Sequence, residues 1–209
     1  MARIEPQRLS LYVVTSSGLV PGRGHREVTV AALAGGATAI QLRAPELGDR
    51  ELLGLAPELA AAGEEAGVAF VINDRVEVAA KAGAGAHVGQ ADDPAGARET
   101  LGPEAILGIS VATPEEARAA ETAGADYVGV TVWATPTKAD AVPRGLDGLR
   151  AVADATYLPV VGIGGVNPAN ARGVLGAGAA GIAVISAVGA VPDMLEATRR
   201  LRAIVEEQR

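Results

Sequence analysis

Short apolar runs recur along the chain, separated by stretches in which apolar residues return every three or four positions. The runs lie near Leu9–Thr15, Ala37–Arg43, Ala69–Asn73, Ala86–Gly89, Ile106–Val111, Tyr127–Val132, Pro159–Ile163 and Gly181–Ile185. They are mostly continuous rather than alternating, as expected of parallel strands covered on both faces. The stretches between them read as amphipathic helices. Leu52, Leu55, Leu59 and Ala62, following Asp49, make one apolar face, and Pro57 predicts a kink in that helix. Eight strands with helices between them predict a closed (βα)8, or TIM, barrel rather than an open doubly wound sheet. No linker interrupts the alternation, so residues 1–209 read as a single domain.

Local punctuation agrees with this pattern. Thr113-Pro114-Glu115-Glu116 offers an N-cap, a proline at the first helical position and acids in the first turn. Asn167-Pro168 repeats the first two of these. Gly36, Gly67, Gly83, Gly124 and Gly178 each precede a strand, where a left-handed helix C-cap is expected.

Composition narrows the class. About half of the 209 residues are apolar, and Ala, Val, Leu and Ile must build the core because aromatic residues make up only 2%. There is no cysteine, which excludes disulfides, a thiol nucleophile and thiolate metal sites and fits a reducing cytoplasm. A net charge of −7 argues against nucleic-acid binding by bulk electrostatics. No run is apolar and long enough to span a membrane, and Met1-Ala-Arg-Ile-Glu-Pro6 does not resemble a secretory leader. Cytoplasmic localisation is therefore expected, with no membrane partner; a homo-oligomer is compatible with the sequence.

In such a barrel the ligand-facing residues gather at the C-terminal ends of the strands. Those ends carry Thr15 and Ser16, Gln41 and Arg43, Asn73 and Asp74, Gln90, Asp92 and Asp93, Ser110, Thr135, Thr137 and Lys138, Gly164 and Gly165, and Ser186. The glycines ending Pro159-Val-Val-Gly-Ile-Gly-Gly165, with Gly181-Ile-Ala-Val-Ile-Ser186 following, predict a phosphate site in which backbone amides face the anion. Asp74 and either Asp92 or Asp93 are hard carboxylates suited to magnesium that also binds substrate phosphates, although helix capping is the competing role for each. Arg43 and Lys138 are cations for phosphate oxygens; a rim ion pair is the alternative for Arg43 and a solvated loop position for Lys138. His87 reads as a packed, hydrogen-bonded strand residue and His25 as a helix start. Trp133 is placed equally well at a pocket mouth or in a loop filling.

These residues lie in segments that resemble the thiamine phosphate synthase family and its thiazole tautomerase relatives over nearly the whole chain. The matching pieces are Leu11-Tyr-Val-Val-Thr15, Gly35-Gly-Ala-Thr-Ala-Ile-Gln-Leu-Arg43, Val71-Ile-Asn-Asp-Arg75, His87-Val-Gly-Gln90, Leu107-Gly-Ile-Ser110, Ala125-Asp-Tyr-Val-Gly129, Thr135-Pro-Thr-Lys138, Gly162-Ile-Gly-Gly165 and Ile185-Ser186. The resemblance implies a transferase joining a hydroxymethylpyrimidine diphosphate to a thiazole phosphate, giving thiamine phosphate and pyrophosphate. By matching position it implies that Gln41 and Arg43 hold the pyrimidine diphosphate, Asn73 touches the pyrimidine or its diphosphate, and Ser110 contacts the pyrimidine side. Asp74 and Asp92 would hold Mg2+. Thr135 and Thr137 would contact the thiazole phosphate and Lys138 the diphosphate, while Gly165, Ile185 and Ser186 would cradle the thiazole phosphate. Arg43, Ser110 and Lys138 would form the catalytic group.

The chain departs from the family pattern at Pro45, Ala91, Ala112, Thr131 and Val132, with Ser16 where an acid is usual. Pro45 replaces one phosphate-binding cation, a loss on the order of 1.5–3 kcal/mol on the scale of charged hydrogen bonds. Two other readings therefore stand beside the synthase: a thiazole tautomerase, although no histidine occurs in Val130–Ala134, and a non-catalytic phosphate-binding barrel.

Overall fold

The computed structural model describes residues 4–89, 92–135 and 141–208. Each of the eight predicted strands is present: β1 (Leu11–Val14), β2 (Ala39–Leu42), β3 (Ala69–Asn73), β4 (Gly85–Val88), β5 (Leu107–Val111), β6 (Tyr127–Thr131), β7 (Val160–Ile163) and β8 (Gly181–Val184). They pair in sequence order, all parallel, and β8 pairs with β1 to close the barrel. Helices α1 (His25–Ala34), α2 (Asp49–Glu65), α3 (Val76–Ala82), α4 (Pro94–Leu101), α5 (Pro114–Thr122), α6 (Gly145–Ala153) and α7 (Ala171–Gly176) follow the first seven strands in turn. After β8 come a short α8 (Ser186–Gly189) and α9 (Met194–Glu206).

Side-chain alternation along each strand separates two apolar layers. The outward residues, such as Leu11, Val13, Ile40, Leu42, Ile72 and Ile109, meet the helices in one continuous core. The inward residues make a smaller second cluster of Tyr12, Val14, Ala39, Ala69, Val71, Tyr127, Val161 and Ala183, which Ile4 and Leu9 join from below. Leu9 belongs to a 3-10 helix (Pro6–Leu9) and not to the first strand, as the apolar run had suggested. It packs under the barrel, and its carbonyl lies so close to Gly181 that a Cβ there would meet it at 1.9 Å.

The predicted helix-to-strand joints hold. Gly36, Gly67, Gly83, Gly124 and Gly178 all have positive φ, between 67° and 97°. Thr113 caps α5 by accepting from the Glu116 amide at 3.2 Å. One expectation is corrected. Asn167 does not start α7; its side chain accepts from the Ala169 amide, forming a turn, and the helix begins after Asn170. Helix α2 runs through Pro57, which lies on the exposed face, where the carbonyl it leaves without a donor can meet water.

Candidate active site

Period-two alternation aims one residue set of every strand at the barrel axis, and near the C-terminal ends this set becomes polar. A cavity of about 290 Å³ opens there, lined by Gln41, Arg43, Asn73, Asp74, Asp92, Ser110, Thr135 and Ile185 among the predicted residues. Gly164 lines it, whereas its neighbour Gly165 and Ser186 stand beside Gly164 and Ile185 without being part of the wall. Thr137 and Lys138, like Gln90 and Ala91, lie outside the described residues.

The two loop acids divide their work. Asp93 caps α4, its carboxylate accepting from the Gly96 amide at 3.2 Å. Asp92 lines the cavity and accepts from the Gly89 amide at 2.8 Å. The cavity-facing acid of this pair is Asp92. Asp74 sits in the left-handed region at φ 62°, which turns it out of β3 toward the cavity, and the Asn73 side chain donates to it at 2.5 Å. Its amide donates to the His87 carbonyl at 2.9 Å, tying it to β4. Among the described residues no three His, Asp or Glu side chains form a metal cage. Two carboxylates on one cavity still suit Mg2+, which keeps several waters and takes its remaining oxygens from substrate phosphate.

Arg43 forms no side-chain ion pair among the described residues, so the rim ion pair weighed for it is absent there. Its backbone is held instead. The Arg43 amide donates to Thr15 Oγ1 at 3.2 Å, Thr15 bonds His25 Nδ1 at 2.8 Å, and His25 Nε2 bonds Glu46 at 2.7 Å. This strap, buried at Thr15 and His25 and exposed at Glu46, joins the loops after β1 and β2. Burial opposes ionisation of Glu46, but hydrogen bonds from Ser17 and His25 outweigh it and hold the carboxyl below its usual range.

The glycines after β7 have a structural reason beyond ligand approach. Gly164 has φ 89°, and a Cβ on it would meet the Trp133 carbonyl at 2.5 Å. Trp133 thus fills the space between the loops after β6 and β7 and is not part of the cavity wall.

Among the wall residues that were not singled out from the sequence as site residues are Tyr12, Tyr127 and His87. Gln41 Nε2 donates to Tyr12 OH at 2.9 Å, and the two phenol oxygens are 2.8 Å apart. Tyr127 OH is 2.9 Å from His87 Nδ1, and His87 Nε2 is 3.0 Å from Ser110 Oγ. His87 is hydrogen-bonded, as expected, and it also faces the ligand space. Burial pushes both phenols far above their ordinary pKa, with the hydrogen bonds to Tyr127 and Gln41 only partly offsetting this at Tyr12. Both therefore remain protonated donors. The signal that could have found them is parity: Tyr12 and Val14, like Gln41 and Arg43, share the inward face of their strands.

The family model described as thiamine monophosphate synthase matches residues 11–188. The chain belongs to the thiamine monophosphate synthase family. It is 52% identical over 203 residues to a thiamine-phosphate synthase of Moorella thermoacetica, covering 95% of this chain and 97% of the relative. It is 48% identical to the thiamine-phosphate synthase of Chloroflexus aurantiacus, with 93% and 92% covered. A solved thiamine phosphate pyrophosphorylase from Pyrococcus furiosus superposes with a TM-score of 0.88 at 43% identity, over 97% of this chain and 98% of that one. More distant solved barrels, such as a 3-hexulose-6-phosphate synthase at 22% identity and a TM-score of 0.68, share the fold. No helix among the described residues is long and apolar enough to cross a membrane.

Proposed function

We propose that this family member condenses hydroxymethylpyrimidine diphosphate with thiazole phosphate, releasing pyrophosphate and thiamine phosphate, in the cytoplasm. The observation that carries this reading is the cavity that collects Gln41, Arg43, Asn73, Asp74, Asp92 and Ser110 from three strand ends and the loop after β4. Gln41, Asn73 and Ser110 would orient the pyrimidine, and Arg43 and Lys138 would bind its diphosphate. Thr135, Thr137, Gly165, Ile185 and Ser186 would hold the thiazole phosphate. Mg2+ held by Asp74 and Asp92 would supply charge neutralisation for the departing pyrophosphate.

The bond between the pyrimidine methylene carbon and the diphosphate oxygen breaks, its electron pair leaving with pyrophosphate. The amino-pyrimidine disperses the positive charge, and the thiazole nitrogen lone pair then forms the new carbon–nitrogen bond. No protein nucleophile is required, in keeping with a chain that has no cysteine. Arg43 and Lys138 act on the charge that grows on the leaving group, and the cavity holds both reactants in contact. Pro45, which stands where the family pattern has a cation, is exposed and not part of the cavity wall, so the missing cation removes charge without opening that wall.

The test is thiamine phosphate formation by purified protein with both substrates and magnesium. Asp74→Asn and Lys138→Ala are each expected to lower kcat/KM by at least a hundredfold. Product formation unaffected by both substitutions would reject the site. Thiazole isomerisation without metal, or thiazole phosphate binding without turnover, would replace the synthase reading altogether.

A further inference from the structure

The five side chains Gln41, Tyr12, Tyr127, His87 and Ser110 come from five strands and form one unbroken hydrogen-bonded line across the cavity floor, with links of 2.8–3.0 Å. Such a line has few ways to place its hydrogens, because each link holds one. Gln41 Nε2 supplies the hydrogen of the first link, so Tyr12 must donate in the second. Tyr127, fully buried and with His87 Nδ1 as its other partner, then gives its own hydrogen to the third link, because a buried hydroxyl hydrogen without an acceptor is costly. A neutral ring that accepts at Nδ1 carries its hydrogen on Nε2 and donates it to Ser110. Ser110 Oγ is thereby an acceptor toward the wall, and its own hydrogen is left for the cavity that Ser110 lines.

We infer that His87 is a positioning residue: the one-way line from Gln41 holds it as the neutral Nε2–H tautomer and so makes Ser110 a hydrogen donor to whatever occupies the cavity. The backbone makes room for this arrangement. A Cβ at Gly108 would meet Tyr127 Cζ at 2.2 Å and His87 Nδ1 at 2.5 Å, and one at Gly129 would meet His87 Cε1 at 3.2 Å. The two ends of the line are coupled. If the residue at position 41 accepted instead of donating, every link would reverse, the ring would carry its hydrogen on Nδ1, and Ser110 would turn a lone pair to the cavity in place of a hydrogen.

The kinetic consequence rests on the synthase reading; the tautomer does not and is measured on the free, full-length protein. Imidazole 15N spectra recorded at pH 9, where an ordinary histidine is neutral, report which ring nitrogen carries the hydrogen. The chain has two histidines, and a His25→Gln variant assigns the remaining signals to His87. The parent is expected to show the hydrogen on Nε2. Tyr127→Phe, which removes a single oxygen, is expected to abolish the single tautomer. Gln41→Glu, three links away, is expected to move the hydrogen to Nδ1. Adding Tyr12→Phe to Gln41→Glu cuts the line and is expected to restore Nε2–H. A hydrogen on Nδ1 in the parent, or a Tyr127→Phe spectrum unchanged from the parent, overturns the inference. So does a folded Gln41→Glu protein with an unmoved hydrogen.

In turnover, Tyr127→Phe is expected to lower kcat about tenfold with KM little changed, the scale of one misdirected hydrogen bond. A parent without synthase activity but with the Nε2–H ring would reject the proposed reaction and leave the positioning role standing.

Discussion

Outside the strands, Leu11, Val13, Ile40, Leu42, Ile72 and Ile109 meet the helices through apolar atoms alone. On the inward face of the same barrel wall stand Gln41, Tyr12, Tyr127, His87 and Ser110, each bonded to the next. Burial of hydrocarbon has no preferred direction, so the outer layer asks only for volume and fit. Buried polar atoms lose more when a partner is missing than they gain when it is present, so the inner layer asks for a complete set. One sheet therefore carries two kinds of constraint, separated by a single residue of register.

The comparison is broken most strongly on the outer side. Leu149, fully buried between α6 and the sheet, should lose about 2–5 kcal/mol of stability on change to Ala. Urea unfolding would read that loss, while kcat of the folded protein stays within about threefold. Gly108→Ala does the reverse. Its methyl group strikes Tyr127 and His87, which should cost about 1–3 kcal/mol of overpacking but reduce turnover by at least a hundredfold. If the two variants shift stability and turnover in the same ratio, the division between layers fails.

The smallest effect sharpens the boundary at the rim. The Glu46 carboxyl has a folded pKa below its unfolded value, so its stabilising contribution is complete above the ordinary carboxylate range. That contribution is lost as the pH falls through the folded value. Glu46→Gln should flatten this acid limb by less than about 1 kcal/mol, because the side chain is 40% exposed and solvent screens it. Thermal melting from pH 7 down to pH 3 would measure it.

The outer layer was legible in the sequence because helix and strand periods write it directly: the eight runs, the joint glycines and the Thr113 cap all stand where the pattern puts them. The mouth was legible from residue type, since Gln41, Arg43, Asn73 and Ser110 interrupt apolar runs. What the pattern did not separate was Asp92 from Asp93, because adjacent acids differ only in which amide each reaches. Tyr12 and Tyr127 were hidden for a different reason. A tyrosine inside an apolar run reads as core, and these two are core; only their mutual bond, between residues 115 positions apart, reveals the polar line. Asn167 misled because an asparagine before proline closes its own turn as readily as it caps a helix.

Ile4 and Leu9 stopper the barrel from beneath, with Leu9 only 1% exposed. With that end closed among the described residues, whatever settles against Tyr12 and Tyr127 comes in from the opposite end, ahead of any molecule seated above it.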